Sequence, residues 1–171
     1  MVDAFDPLDR FLDESAALGD KRGPVLLQLP PSLAFDHQIA ARFLDGFRER
    51  HPGDAVLEPR HPSWFEPGPE ALLVAHRIAR VAADPARTLE ASAPGGWTGL
   101  RYWRWHGSPK MYWSAYPEAA LNGLAAVVAE DPAPTWVMFD NTASGAAAAD
   151  ALALKALMGA PPCEAPAEPK D

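Results

Sequence analysis

The chain has 171 residues, of which 48% are hydrophobic and 22% are charged, and both values are typical of a single globular domain. Its formal net charge is −8, and it contains no run of five or more basic residues. These features argue against a nucleic acid partner, because binding a phosphate backbone requires clustered lysine and arginine side chains.

The hydrophobic pattern predicts alternating helices and strands. Helices are predicted where apolar residues recur at helical spacing, at 7–18, 36–47, 71–76, 117–129 and 144–158. Short apolar runs between turn-forming residues predict strands at 25–29, 54–58, 78–83, 100–105 and 135–140. Strands that are separated by helices form parallel sheets through right-handed crossovers. We therefore predict one domain at 1–158, followed by a disordered tail at 159–171 that is rich in proline, alanine and glutamate.

Three polar residues are predicted to cap helices. Asp6 precedes a proline that suits the first helical position, and Asp36 and Ser144 stand just before other predicted helices. A side-chain oxygen at such a position can accept a hydrogen bond from the first turn of the helix.

Polar residues follow each predicted strand at its carboxyl end. These residues are Gln28, Glu58, Arg60, Asp84, Arg104, His106, Asp140 and Asn141. In parallel α/β folds, the loops at this edge meet in one crevice where ligands bind. We therefore expect the carboxyl ends of the five strands to line a shared pocket.

Three of these polar residues are candidate catalytic groups. Glu58 or Asp84 is the candidate general acid–base, and His106, which precedes Gly107 at a strand end, is the candidate proton carrier. Asp84 also has a structural interpretation, because the proline that follows it ends the strand.

The candidate ligand-binding residues are Gln28, Arg60, His61, Trp64, Tyr116 and Asn141. Arg60 would clamp an anion, and an aromatic ring such as Trp64 would suit a sugar or a base. Each has a structural alternative: Arg60 and Glu58 could form an ion pair without chemistry, His61 could orient its loop, and Trp64 could belong to the packing. The sequence contains no His-x-x-x-His or Cys-x-x-Cys pair, so we predict no metal site, and it specifies no cofactor.

Four segments resemble the signature blocks of a known family. They are GPVLLQLPP at 23–31, EPRHPSWF at 58–65, WRWHG at 103–107 and FDNT at 139–142. Together they resemble the domain of unknown function 72 family, also called YecE-like, over roughly 8–158. The resemblance implies a TIM-type (β/α)8 barrel and no particular activity. Because the family normally begins with three further strands, it implies here a partial barrel of five sequential parallel βα units with the first three strands missing.

These observations leave two kinds of function open. The first is a hydrolase that acts on a small polar, sugar-like or phosphate-containing ligand at the C-terminal face of the strands. The alternative is a non-catalytic ligand-binding module or an inactive barrel fragment. A barrel without its first strands has two unpaired edges, so we also expect self-association, or a missing N-terminal segment as a partner.

The chain is expected in the cytoplasm. Its single cysteine, Cys163, cannot form an intramolecular disulfide, which fits a reducing compartment. No apolar stretch approaches the roughly 18 residues that a membrane-spanning helix needs, so no membrane partner is predicted.

Overall fold

The computed structural model describes Met1 and residues 3–159, in which helices and strands alternate as the hydrophobic pattern predicts. The helices are α1 (Phe5–Ala16), α2 (His37–Arg50), α3 (Pro67–Ala75), α4 (Glu118–Glu130) and α5 (Ala146–Leu157). The strands are β1 (Val25–Gln28), β2 (Ala55–Glu58), β3 (Ala79–Arg80), β4 (Ala82–Asp84), β5 (Gly95–Gly96), β6 (Arg101–Trp105) and β7 (Thr135–Phe139). Short 3₁₀ turns cover Gly19–Lys21, Pro62–Phe65 and Glu90–Ser92. The predicted disordered tail lies outside the described residues, except for its first residue.

The protein is an α/β fold that divides into two compact units. The first unit comprises Met1–Trp105 and Ala133–Met138 and contains the sheets with α1, α2 and α3. The second comprises His106–Pro132 and the chain from Phe139 onward and contains α4 and α5. Neither unit has, among the described residues, a helix with the length and apolar character that crossing a bilayer requires.

The strands of the first unit form two sheets. In the four-stranded sheet, β1, β2 and β3 are parallel neighbours, with Val25 opposite Ala55 and Gln28 opposite Glu58. In the three-stranded sheet, β4 pairs with β6 in parallel and β7 follows β6. The order of these strands follows the sequence, as successive βα units require.

The strand predicted at 78–83 is divided between the two sheets. β3 and β4 are separated by Val81, whose N–H donates to the carbonyl of Leu57 at 3.0 Å. The two glycines of β5, which the sequence did not indicate, pair antiparallel with β3. Glycine is needed at Gly96 because φ is 66° and a Cβ would lie 2.6 Å from the carbonyl oxygen of Ile78.

The two faces of β2 enter different apolar clusters. Leu57 packs with Phe47 of α2 and Leu73 of α3, all three fully buried. Val56 faces the other way and packs with Tyr102 of β6. Complete burial of a side chain of this size stabilises the fold by about 1.5–3 kcal/mol. β2 is therefore buried on both faces, as a strand inside a parallel sheet is expected to be.

The predicted helix caps have different outcomes. Asp36 caps α2 as predicted, because its carboxylate accepts a hydrogen bond from the helix backbone at 3.0 Å. The other two predictions are wrong. Asp6 lies inside α1, and the hydroxyl of Ser144 donates to the carbonyl of Trp113 while Gly145 occupies the position before α5.

In the second unit, α4 and α5 pack against each other. α4 buries Leu121, Leu124 and Val128, and α5 buries Leu154 together with Asp150. A carboxylate in such an apolar setting requires hydrogen-bond donors to offset its desolvation. Those donors are the backbone N–H of Tyr116 and the side-chain amide of Asn141.

Candidate functional site

In the first unit, the carboxyl ends of three strands place an ionic cluster around Glu58. The side chain of Glu58 is only 4% exposed. Oε1 accepts from Arg60 Nε at 3.1 Å and contacts Arg60 Nη2 at 3.0 Å, while Oε2 accepts from Arg104 Nη1. Arg104 Nη1 also donates to Gln28 Oε1 at 2.8 Å. One buried carboxylate therefore lies between two guanidinium groups.

This arrangement changes the role expected of Glu58. Opposite charges at hydrogen-bonding distance favour the ionised carboxylate, so Glu58 is better suited to holding Arg60 and Arg104 than to donating a proton. The sequence analysis named Arg60 and Gln28 as ligand-binding candidates, and the structure brings both to this cluster. Arg104 was placed at the end of another predicted strand, at 100–105, but was assigned no role.

Tyr102 of β6 is buried in the apolar cluster that also contains Val56 of β2. Burial raises the pKa of its phenol above the usual value; Arg104 lowers that pKa and Glu58 raises it. The side chain therefore stays a neutral hydroxyl over the whole physiological pH range.

Asp84, the other acid–base candidate of the first unit, is the last residue of β4 and is partly buried. It lies opposite Trp105 in the parallel register with β6. The Asp84–Pro85 peptide bond that follows it is cis.

Two ligand-binding candidates in the loop after β2 have structural roles. Nδ1 of His61 accepts from the backbone N–H of Ser63 at 3.3 Å and contacts its hydroxyl at 2.8 Å, so the ring orients its own loop. Trp64 is 1% exposed, and its indole N–H donates to the carbonyl of Leu33 at 3.0 Å. The ring packs in the core, and its predicted contact with a ligand stays a prediction.

In the second unit, His106 forms a pair with Asp140. His106 is 3% exposed, and its Nδ1 lies 2.7 Å from Oδ1 and 2.9 Å from Oδ2 of Asp140. The edge of the Tyr112 ring meets the imidazole, with ring centroids 5.7 Å apart. A carboxylate in this position fixes the orientation of the imidazole. His106 was predicted from the sequence, whereas Asp140 was noted only as a polar strand end.

Buried polar residues surround this pair. The N–H of Gly107 donates to the hydroxyl of Tyr116 at 2.9 Å, and the N–H of Tyr116 donates to Asp150 Oδ2 at 3.2 Å. Nδ2 of Asn141 donates to the same Oδ2 at 2.7 Å and to the carbonyl of Ser114 at 2.9 Å. Among the described residues, Oδ1 of Asn141 has no hydrogen-bond partner. Tyr116 and Asn141 brace the site from within, and their predicted contact with a ligand stays a prediction.

The loop between β6 and α4 presents exposed aromatic side chains on a fixed backbone. Tyr112 and Trp113 are 42% and 49% exposed. Tyr112 has a φ of 63°, and the backbone N–H of Ala143 donates to its carbonyl at 3.0 Å. The ammonium of Lys110 lies 4.2 Å from the centre of the Trp113 ring. Exposed rings on an ordered loop are suited to stacking against a flat or sugar-like ligand.

No three His, Cys, Asp or Glu side chains of the described residues are grouped closely enough to hold a metal ion. The predicted convergence of all five strand ends on one pocket stays a prediction.

Comparisons with known proteins give a consistent result. A family profile described as "Protein of unknown function DUF72" matches residues 2–171. A crystal structure of a DUF72 family protein from Thermotoga maritima is 25% identical with a TM-score of 0.75, and the match covers 92% of this chain and 66% of that one. A DUF72 family protein from Enterococcus faecalis is 17% identical with a TM-score of 0.74, over 91% of this chain and 66% of that one. This chain therefore spans about two thirds of the length of these relatives, and no curated protein matches it significantly.

Proposed function

Since the chain belongs to the DUF72 family, we propose from the chemistry of its own residues that it is a hydrolase acting on a small polar, sugar-like or phosphate-containing ligand. The observation that carries this proposal is the pair of short contacts, 2.7 and 2.9 Å, between His106 Nδ1 and the carboxylate of Asp140. An imidazole held in this way can accept a proton and return it later in the reaction.

In the proposed reaction, His106 removes a proton from a water molecule while Asp140 orients the imidazole through Nδ1. The resulting hydroxide forms a bond to the electrophilic carbon or phosphorus of the ligand, and the bond to the leaving group breaks. The proton then passes from His106 to the leaving group. Asp140 stabilises the imidazolium between the two transfers.

The exposed rings of Tyr112 and Trp113 support a sugar-like ligand. Tyr112 also contacts the imidazole of His106, so a ring stacked on this loop would lie beside the proton carrier. The positive φ of Tyr112 is an unfavourable conformation for a non-glycine residue and is held by the surrounding hydrogen bonds, which is common at functional sites.

The experiment is a hydrolysis assay with a panel of 4-nitrophenyl glycosides and 4-nitrophenyl phosphate. For any substrate that is cleaved, His106→Gln and Asp140→Asn should lower kcat by about 100-fold or more. His37→Gln is the matched control, because His37 is exposed at the start of α2, and it should leave the rate unchanged. Full activity in His106→Gln would refute the proposed role.

A second candidate function, a non-catalytic ligand-binding module, is favoured by the ionic cluster of the first unit. Guanidinium groups at the carboxyl ends of strands offer paired N–H donors that suit a phosphate or carboxylate group. Titration calorimetry with inorganic phosphate and a sugar phosphate tests this function. Arg104→Met should weaken binding by about tenfold or more, whereas Arg101→Met on the same strand should not. An inactive barrel fragment, the other form of this alternative, would keep such a binding function without catalysis.

If the first unit contributes an acid–base group, Asp84 is the better candidate. Glu58 is fixed between two arginines, and its proposed role is therefore to position them. Asp84→Asn should lower the rate at which the protein hydrolyses a substrate. An unchanged rate would show that Asp84 is not an acid–base group in this reaction.

We also propose that the sheets belong to a TIM-type (β/α)8 barrel of which this chain supplies five βα units. The sequential strand order and the likeness to solved relatives over about two thirds of their length support this. The strands β1 and β7 stand at sheet edges within the described residues, and they would pair with a further segment or a second copy. The single cysteine supports a cytoplasmic location.

A further inference from the structure

Asp150 is a buried carboxylate on α5 for which the proposed reaction has no use. It is 5% exposed and lies one helical turn before the buried Leu154. Burying a carboxylate is unfavourable unless several donors compensate for the lost water. A residue that served only to pack α5 would be expected to be apolar. Packing therefore does not explain why a carboxylate with several hydrogen-bond donors stands at this position.

Those partners connect Asp150 to both residues of the His106–Asp140 pair. Oδ2 accepts from Nδ2 of Asn141 at 2.7 Å, and Asn141 directly follows Asp140. Oδ2 also accepts from the N–H of Tyr116 at 3.2 Å, and the hydroxyl of Tyr116 accepts from the N–H of Gly107 at 2.9 Å. A single carboxylate oxygen thus fixes the backbone next to each member of the pair.

The packing around Gly107 leaves the backbone little freedom to move. A Cβ on Gly107 would lie 2.9 Å from the carbonyl oxygen of Ser114 and 3.0 Å from Cβ of Asn141. Asn141 is completely buried and donates its second Nδ2 hydrogen to that same carbonyl. A shift of either strand end would therefore be transmitted to the distance between His106 and Asp140.

We propose that Asp150 is a positioning residue that holds the His106 imidazole and the Asp140 carboxylate at hydrogen-bonding distance. Its importance for catalysis rests on the proposed function, but the geometric role does not. Asp150 acts through Asn141 on one side and through Tyr116 and Gly107 on the other.

Proton NMR of the full chain measures this role without a substrate. The Nδ1 proton of His106, hydrogen-bonded to a carboxylate, should give a strongly deshielded resonance that exchanges slowly with water, assigned by its absence in His106→Gln. In Asp150→Ala this proton should exchange at least about tenfold faster, or its resonance should disappear. Asp150→Asn keeps an oxygen that can accept both hydrogen bonds, so it should restore slow exchange to within about threefold of the wild type.

Leu154→Ala is the matched control for a general loosening of α5. It removes a buried side chain from the same helix face and lowers stability, but it should leave the Nδ1 proton unchanged. Tyr116→Phe removes the hydroxyl that accepts from Gly107 while leaving Asp150 in place, and it should accelerate exchange in the same direction as Asp150→Ala. This variant decides the question if Asp150→Ala does not fold.

The proposal is overturned if folded Asp150→Ala, or folded Tyr116→Phe, retains the wild-type exchange rate, or if Leu154→Ala accelerates exchange as much as they do. Loss of the slow proton in folded Asp150→Asn would also overturn it, because the charge and not the position would then matter. If no substrate is cleaved but the exchange rates change as expected, the positioning role stands and the hydrolase proposal fails.

Discussion

Removing the guanidinium of Arg60 should lower the free energy of unfolding by about 1.5–3 kcal/mol, the range for hydrogen bonds to a charged group. Arg60→Ala deletes contacts of 3.0 and 3.1 Å to Oε1 of Glu58, whose side chain is 4% exposed. Stripping a buried carboxylate of its counter-charge altogether costs about 3–5 kcal/mol. Here Arg104 still holds Oε2, so the single variant should lie below that range. The double variant Arg60→Ala with Arg104→Ala should reach it.

Urea denaturation at neutral pH, followed by tryptophan fluorescence and far-UV circular dichroism, gives these values. Arg10→Ala is the control, because Arg10 pairs with Glu14 on α1 with both side chains more than 60% exposed. An exposed pair at this helical spacing should contribute no more than about 0.5 kcal/mol. The loss in Arg60→Ala should also persist in high salt, since partly buried charges are screened less than exposed ones.

Equal losses in Arg60→Ala and Arg10→Ala would refute the reasoning, because Glu58 would then not depend on the Arg60 guanidinium. A loss in Arg60→Ala as large as that of the double variant would refute it differently. It would show that Arg104 does not share the charge of the carboxylate.

Four further outcomes are expected. Burial lowers the pKa of His51 below its ordinary value of about 6.5. On acidification the unfolded chain therefore takes up a proton on His51 before the folded chain does. The free energy of unfolding should not depend on His51 above about pH 6.5 and should fall below that pH. His51→Gln should reduce this fall when urea midpoints at about pH 7.5 and about pH 5.5 are compared. Gly96→Ala should lower the thermal midpoint, because its positive φ and the nearby Ile78 carbonyl exclude a Cβ. Gly123→Ala, on α4 with open space around it, should stabilise by up to about 1 kcal/mol. Size-exclusion chromatography with light scattering should show species larger than the 18.4 kDa chain, because the edges of β1 and β7 can pair further, and a compact monomer with a cooperative melting transition would contradict this.

The main strands could be predicted from the sequence because their apolar runs are short and bounded by proline, glycine or charged residues. The run at 25–29 starts after Gly23 and Pro24 and stops at Pro30, and the structure has β1 within it. β5 carries no such signal, since its two glycines have no side chains to produce a hydrophobic pattern. The division of the predicted strand at Val81 could not be predicted either, because Val81 is apolar and gives no turn signal.

The site residues were predictable where the chain itself marks them as strand ends. Glu58 and His106 follow apolar runs directly, and both lie in polar clusters. The partners that give these clusters their chemistry come from distant parts of the sequence: Arg104 is 46 residues from Glu58, and Asp140 is 34 residues from His106. Asp150 lies in the middle of a helix of alanines and leucines, where sequence alone cannot distinguish a buried carboxylate from an exposed one.

Arg104 also links the stability of the two sheets. It belongs to β6 of the three-stranded sheet, yet it bonds to Gln28 and Glu58 at the ends of two strands in the four-stranded sheet. Opening either sheet locally would break these bonds and leave Glu58 with less of its compensating charge. The two sheets should therefore open as one cooperative unit. Backbone amides of β1, β2 and β6 should share one free energy of opening in hydrogen exchange, and in Arg104→Met those of β1 should begin to exchange independently of those of β6.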